Sequence, residues 1–215
     1  MTEITTARHG QTLEISFNRP EKMNAITRAM YAGLTTNLNE AAGDFGIRCV
    51  VLTSQGDHFT SGNDIGDFMS NPPTESDSDV AKFLGALLDF PKPLLAAVKG
   101  NAIGVGTTML LHCDIVIANP SAKFSMPFTS LGLVPEAGSS MLFPQLVGHQ
   151  RAAKIFMTGE PFSADEAREM GLVAEVADDA RAKALEIAER IAGQPPQAII
   201  NTKALMKAEI GRAHV

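Results

Sequence analysis

In the run "SLGLVPEAGSSMLF", residues 130–143, a single acid, Glu136, stands among Leu131, Leu133, Val134, Ala137, Met141, Leu142 and Phe143. Charged side chains are rarely buried without a partner, and a carboxylate withdrawn from water gains proton affinity. Glu136 is therefore a candidate general base, with Leu131, Val134, Met141 and Phe143 expected to bury it. On these residues alone a structural role suits it better, because Pro135 at a first helical position followed by an acid fits a helix N-terminus.

Two Gly-rich stretches offer the complementary chemistry: "HFTSGND" (58–64) and "GNAIGVGTTMLL" (100–111). Each follows an apolar run and leads into a helix. Small residues there serve tight dihedrals and close packing. At the second stretch, a backbone N–H at the start of the helix would also be turned toward a ligand oxygen, and the two roles are compatible. Familiar alternatives are missing. Gly104-x-Gly106 is followed by Met109 where a dinucleotide fingerprint needs a third Gly, and no Gly-Lys-Ser/Thr or G-x-S-x-G occurs. His58 and His112 are isolated and read as structural; Cys49 and Cys113 read as buried thiols, without metal spacing. Ser163 and Glu166 form a capping-box pattern at a solvated helix start.

The elements that must position these residues alternate in type. "TLEISFN" places Leu13, Ile15 and Phe17 on one face of a half-buried strand, and "RPEKMNAI" follows as a turn. Thr27 starts an amphipathic helix carrying Met30, Tyr31, Leu34, Leu38 and Ala41. "CVVLTS", "KPLLAAVKG", "DIVIAN" and "AKFSM" read as strands, "TTMLLHC" as a buried helix, and "NPPTESDSD" as a surface loop. A helix is expected from Pro135 to about Leu146. From about Arg151 the chain reads as mostly helical, with one short strand, "LVAEVA". The pattern predicts an α/β core over 1–150, followed by a helical C-terminal region over 151–215.

The 215 residues, 45% hydrophobic, are enough for one sizeable core. A net charge of -6 without a Lys/Arg run argues against nucleic acid or an anionic membrane surface as partner. No apolar run approaches a membrane span and the N-terminus has no apolar leader, so a soluble, cytoplasmic protein is expected.

Together, "NRPEKMNAI", "HFTSGNDI", "AAVKGNAIGVGTTMLLHCDIVIA", "FSMPFTSLGLVPEAGSS" and "MTGEPFSADEAREMGLVAEV" resemble the enoyl-CoA hydratase/isomerase superfamily, the crotonase fold, in the family's order. The resemblance covers about Thr12 to Lys207. It implies a spiral of ββα units, an acyl-CoA thioester as substrate, no cofactor beyond the substrate's own coenzyme A, and homotrimers or dimers of trimers. It also implies an oxyanion hole of two backbone N–H groups, mapping to Ser61 and to Val105, where the family usually carries Gly. Each such donor is typically worth about 10²–10³ in rate. Gly62, Asn63, Asp64, Ile65 and Gly104 would border the substrate, with Ala25 and Lys22 near its nucleotide end.

The family's hydratases hold water between two glutamates. The matching positions here are Thr108 and Phe128, neither of which moves a proton as a carboxylate does. Glu136 remains, in a segment similar to that of the peroxisomal-type 3,2-enoyl-CoA isomerases, where one glutamate is the base. The resemblance thus implies an isomerase moving a double bond from position 3 to position 2. The alternatives are another crotonase reaction, such as hydration, or a non-catalytic acyl-CoA-binding subunit. Family members usually continue several tens of residues further. The final "IGRAHV" is what ATC GGA AGA GCA CAC GTC encodes, which resembles sequencing-adapter read-through, so a truncated reading frame is expected, in which a peroxisomal targeting tripeptide would not be seen.

Overall fold

The computed structural model describes residues 2–70 and 78–212, with side chains through 207. Most of the "NPPTESDSD" loop and the end of "IGRAHV" lie outside the described residues. In chain order, β1 (Ile4–His9) and β2 (Thr12–Phe17) precede α1 (Arg28–Gly43) and β3 (Cys49–Ser54). Next come α2 (Ile65–Ser70), α3 (Asp79–Asp89), β4 (Leu94–Val98), β5 (Asn101–Ile103), α4 (Val105–Thr108) and β6 (Ile115–Ala118). β7 (Lys123–Ser125), α5 (Ser139–Val147), α6 (His149–Thr158), β8 (Phe162–Ser163) and α7 (Ala164–Glu169) follow. β9 (Glu175–Val176), α8 (Ala180–Ala192) and α9 (Pro196–Arg212) complete the chain.

Six strands form one sheet in the order β1-β2-β3-β4-β6-β9, antiparallel only between β1 and β2. A smaller sheet has the order β5-β7-β8. Parallel strands need helical crossovers, and these cover both faces of the large sheet. Val50, Leu52, Ala96 and Val98 face the core shared with α1 and α3. Their neighbours Cys49, Val51, Leu95 and Ala97 face α8, which presents Ala180, Ala184 and Ala188. Alanine at every fourth residue lets α8 lie close against the strands.

The α/β expectation agrees with this architecture, as does the buried stripe Met30, Tyr31, Leu34, Leu38 and Ala41 of α1, whose Thr27 cap accepts from Met30 N–H. Four details differ. β2 is covered on both faces, because α8 lies over the side holding Glu14, which is only 3% exposed. "TTMLLHC" divides into α4 and a 3-10 turn, Met109–His112. Residues after 151 do not form a lobe apart: β8 joins β7, β9 joins β6, and α8 covers the sheet. Finally, the helix expected from Pro135 begins only at Ser139, because Ala137 (φ 55°) and Gly138 (φ 67°) turn the chain through the left-handed region.

Candidate active site

Three loops meet at the C-terminal ends of the parallel strands, where open α/β sheets characteristically place their ligands. The first, after β2, carries Met23 and Asn24 at positive φ (49° and 54°). The buried Asn24 fixes this turn: its Oδ1 accepts from Arg19 N–H at 2.7 Å, and its Nδ2 donates to Gln55 and His58 carbonyls. The second loop, after β3, is bound to the first by Thr60 Oγ1, which donates to Asn24 C=O at 2.7 Å. It is bound to the third, around β5, by Thr60 N–H to Asn101 C=O and Ile103 N–H to Thr60 C=O, both 3.0 Å.

Glycine permits this approach. A Cβ on Gly62 (φ 88°) would lie 2.8 Å from Ile103 O, and one on Gly106 would lie 2.5 Å from Thr60 Cγ2. Both Gly-rich stretches therefore meet their packing demand, and each contains one backbone amide left unpaired among the described residues. The parallel bridge from Ile26 to Asn63 uses Gly62 C=O and Asp64 N–H, which turns the Asn63 N–H away from that partner. Among the described residues, neither Asn63 N–H nor Val105 N–H has an acceptor.

This corrects one assignment. The Ser61 amide, expected as an oxyanion donor, donates to Met23 C=O at 2.9 Å and is already used. The open donor in that loop is two residues further on, at Asn63. Val105 stands at the start of α4, directly after Gly104, whose φ of 57° makes the turn into the helix.

Glu136 is half-buried and lies in the loop before α5, so its carboxyl does not start a helix. Thr108 of α4 donates its hydroxyl to Glu136 Oε1 at 2.5 Å. The loop itself is pinned by His112, whose Nε2–H donates to Ala137 C=O at 2.8 Å, and by Ser139 Oγ donating to Glu136 C=O at 2.6 Å. Burial pushes the Glu136 carboxyl above its ordinary value, and the Thr108 hydrogen bond offsets this only in part. Of the four residues expected to bury it, Leu131 and Val134 are 63% and 80% exposed, whereas Phe143 is buried and Met141 half-buried; Thr108 and Tyr31 are also closed to solvent.

Tyr31 connects the pieces. Its phenol is held un-ionised, first by burial and then by the negative charge of Glu136, and its hydroxyl donates to Asn63 Oδ1. By its spacing Tyr31 belongs to the apolar stripe of α1. A hydroxyl on an otherwise apolar stripe was the available signal, since a buried tyrosine needs a partner. Thr108 stands where the family's hydratases have a glutamate, and its hydroxyl is what holds Glu136.

The remaining expected residues divide. Asp64 is occupied by Arg19 at 2.7 Å and by Asp67 N–H, so its carboxyl is held below the usual range, by Arg19 above all. Ala25 C=O accepts from Arg19 at 2.9 Å. Lys22 is exposed in the turn Pro20–Lys22 with no ion-pair partner among the described residues. Ile65 is 67% exposed at the start of α2. No cluster of His, Cys, Asp or Glu suited to a metal occurs among the described residues.

Residues 8–215 match the family model described as enoyl-CoA hydratase/isomerase. Enoyl-CoA delta isomerase 2 of Homo sapiens is 37% identical, over 99% of this chain and 56% of its own length. The 2,3-dehydroadipyl-CoA hydratase of Escherichia coli is 33% identical, over 96% of this chain and 82% of its own. A solved enoyl-CoA hydratase/isomerase structure from Pseudoalteromonas atlantica is 43% identical, with a TM-score of 0.92 over 96% of this chain and 83% of that one. The chain thus spans little more than half of the human relative's length. With a family match along nearly all of its residues, and the same fold at this identity, the chain belongs to the enoyl-CoA hydratase/isomerase family and has the crotonase fold.

Proposed function

We propose that this protein is an enoyl-CoA isomerase that moves a 3-enoyl-CoA double bond to position 2. The Asn63 and Val105 amides would hold the thioester oxygen, and Glu136 would take a proton from the carbon alpha to the thioester and return it at the gamma carbon. No water enters this exchange, so one carboxyl serves both steps. One observation supports this reading above all. Glu136 is hydrogen-bonded at the site to a threonine, and Asp64, the acid of the neighbouring loop, is neutralised by Arg19. A hydratase of the two-carboxylate kind would need acids at both positions where Thr108 and Phe128 stand. The isomerase among the relatives points the same way.

The substrate would be an acyl-CoA thioester, with Lys22 beside its phosphates, and the assembly a homotrimer or dimer of trimers. Hydration remains the second reading, because a 33% identical relative is a hydratase. Supplying the protein with a 3-enoyl-CoA and, separately, a 2-enoyl-CoA tests the choice. Formation of 2-enoyl product well ahead of hydroxyacyl product is expected. Comparable or faster hydration would overturn the isomerase reading, and binding without turnover of either would favour an acyl-CoA-binding subunit.

A further inference from the structure

The Thr108 hydroxyl carries one hydrogen and has two acceptors in reach. Glu136 Oε1 is at 2.5 Å, and Val105 C=O, one turn back in α4, is at 3.4 Å. The shorter, charge-assisted bond takes the hydrogen, and the backbone contact is at the limit of hydrogen-bond geometry. Thr108 is 0% exposed, so no water competes for the bond. The two oxygens of Glu136 are therefore unequal: Oε1 is fixed to α4, and no hydrogen bond is made to Oε2 among the described residues.

We propose that Thr108 is the positioning residue of the proton shuttle, holding Oε1 so that Oε2 alone carries the proton between the alpha and gamma carbons. This rests on the isomerase reading. In the first step the C–H bond at the alpha carbon breaks, an O–H bond forms at Oε2, and the electron pair passes into the enolate. In the second, the pair returns through the gamma carbon, which takes the same proton, and Glu136 is again a carboxylate. An untethered carboxyl would rotate and present either oxygen. The tethered one keeps a single oxygen over the three-carbon unit, and α4 supplies both this tether and the Val105 amide. Position 108 thus does more than lack the acid of a hydratase.

The bond from Thr108 favours the charged form of Glu136 and works against its burial. Tyr31 of α1 lies near enough for the Glu136 charge to act on its phenol, and His112 of the 3-10 turn after α4 binds the loop carbonyl of Ala137. Burial and the Thr108 bond are what set the Glu136 carboxyl, so Thr108 is the counterweight to burial.

Thr108→Val removes the hydroxyl at nearly constant volume, and Thr108→Ser keeps it. In the full chain, Thr108→Val is expected to lower isomerase kcat about tenfold or more, with KM little changed. Its kcat/KM profile should move its acid limb to higher pH, and Thr108→Ser should restore both. The Glu136 carboxyl is also followed directly, by carbon-13 NMR of protein labelled at glutamate Cδ, its signal identified by loss in Glu136→Gln. Its titration should move to higher pH in Thr108→Val whether or not 3-enoyl-CoA is a substrate, so the failure of the isomerase reading is distinguishable. Thr108→Ala provides the same readouts if the valine variant folds poorly. A titration and a kcat unchanged in the hydroxyl-free variant, or no rescue by serine, would overturn the proposal.

Discussion

Glu136 is held between two opposed influences, burial and the hydroxyl of Thr108, and burial is the stronger. A raised carboxyl has consequences for both activity and stability. Activity that needs the carboxylate should be full above its raised pKa and lost as pH falls through it, so the acid limb of kcat/KM should lie above the usual carboxylate range. For stability the sign reverses. A carboxyl whose pKa rises on folding stabilises at low pH, and that contribution is lost as pH rises through the folded value. Glu136→Gln should therefore melt at a higher temperature than wild type at neutral pH, a cost that active sites commonly carry; a lower melting temperature would contradict the burial argument. Tyr31→Phe leaves Asn63 Oδ1 without its donor. It should cost about 1 kcal/mol in urea denaturation and reduce kcat more than it raises KM. Ser61→Ala should change kcat little, because its side chain makes no hydrogen bond among the described residues and the backbone amide, bound to Met23 C=O, stays in place. At this scale Glu136 was legible because its type departs from its neighbours. The Ser61-to-Asn63 shift was not, because which amide stays unpaired depends on the turn around Met23 and Asn24, whose positive φ angles no spacing announces.

The elements act by bringing loops together and keeping them there. Gly62 and Gly106 allow the second and third loops to touch, and an added methyl would press on backbone oxygen in the first case and on buried Thr60 in the second. Gly62→Ala should thus destabilise by at least about 1 kcal/mol from its left-handed backbone alone, with activity falling alongside; an unchanged melting temperature would refute the close approach. Beyond the site, α8 is tied to β2 by Glu14. Its carboxylate accepts from Arg181 at 2.6 and 2.7 Å, from Thr53 at 2.8 Å, and pairs with His9 at 2.8 Å. Burial alone would raise Glu14, but these partners, Arg181 foremost, hold it near 2 against an ordinary 4.5. Its contribution is therefore complete above pH 4.5 and is lost as pH falls toward 2. Arg181→Ala should move acid unfolding, followed by circular dichroism, to higher pH; an unmoved transition would show that the tether is not what resists acid. Helix α1 was legible from its apolar spacing and its Thr27 cap. Strand β2 was misread as half-buried, since a satisfied interior acid looks like an exposed one until Arg181, 167 residues away, is placed beside it.

For the whole molecule, order of blocks carried more information than any one element. Alternating strands and helices indicated α/β, but β5, of three residues, and β8 and β9, of two each, are too short to show a period. β8 and β9 nevertheless join the stretch after 151 to both sheets, so the boundary drawn at 151 from the run of helical segments is not a break in the fold. The resulting scaffold sets Tyr31 against Asn63 and Thr108 of α4 against Glu136, and leaves the Asn63 and Val105 amides open among the described residues. The central claim is that this carboxyl does the proton transfer. Its most direct test is the isomerisation of 3-enoyl-CoA by purified Glu136→Gln beside wild type, at matched folding and matched acyl-CoA binding. Loss of a general base of this kind should lower kcat about 10²–10⁴-fold, with substrate binding retained. A kcat close to wild type would contradict the assignment of Glu136 as the shuttle.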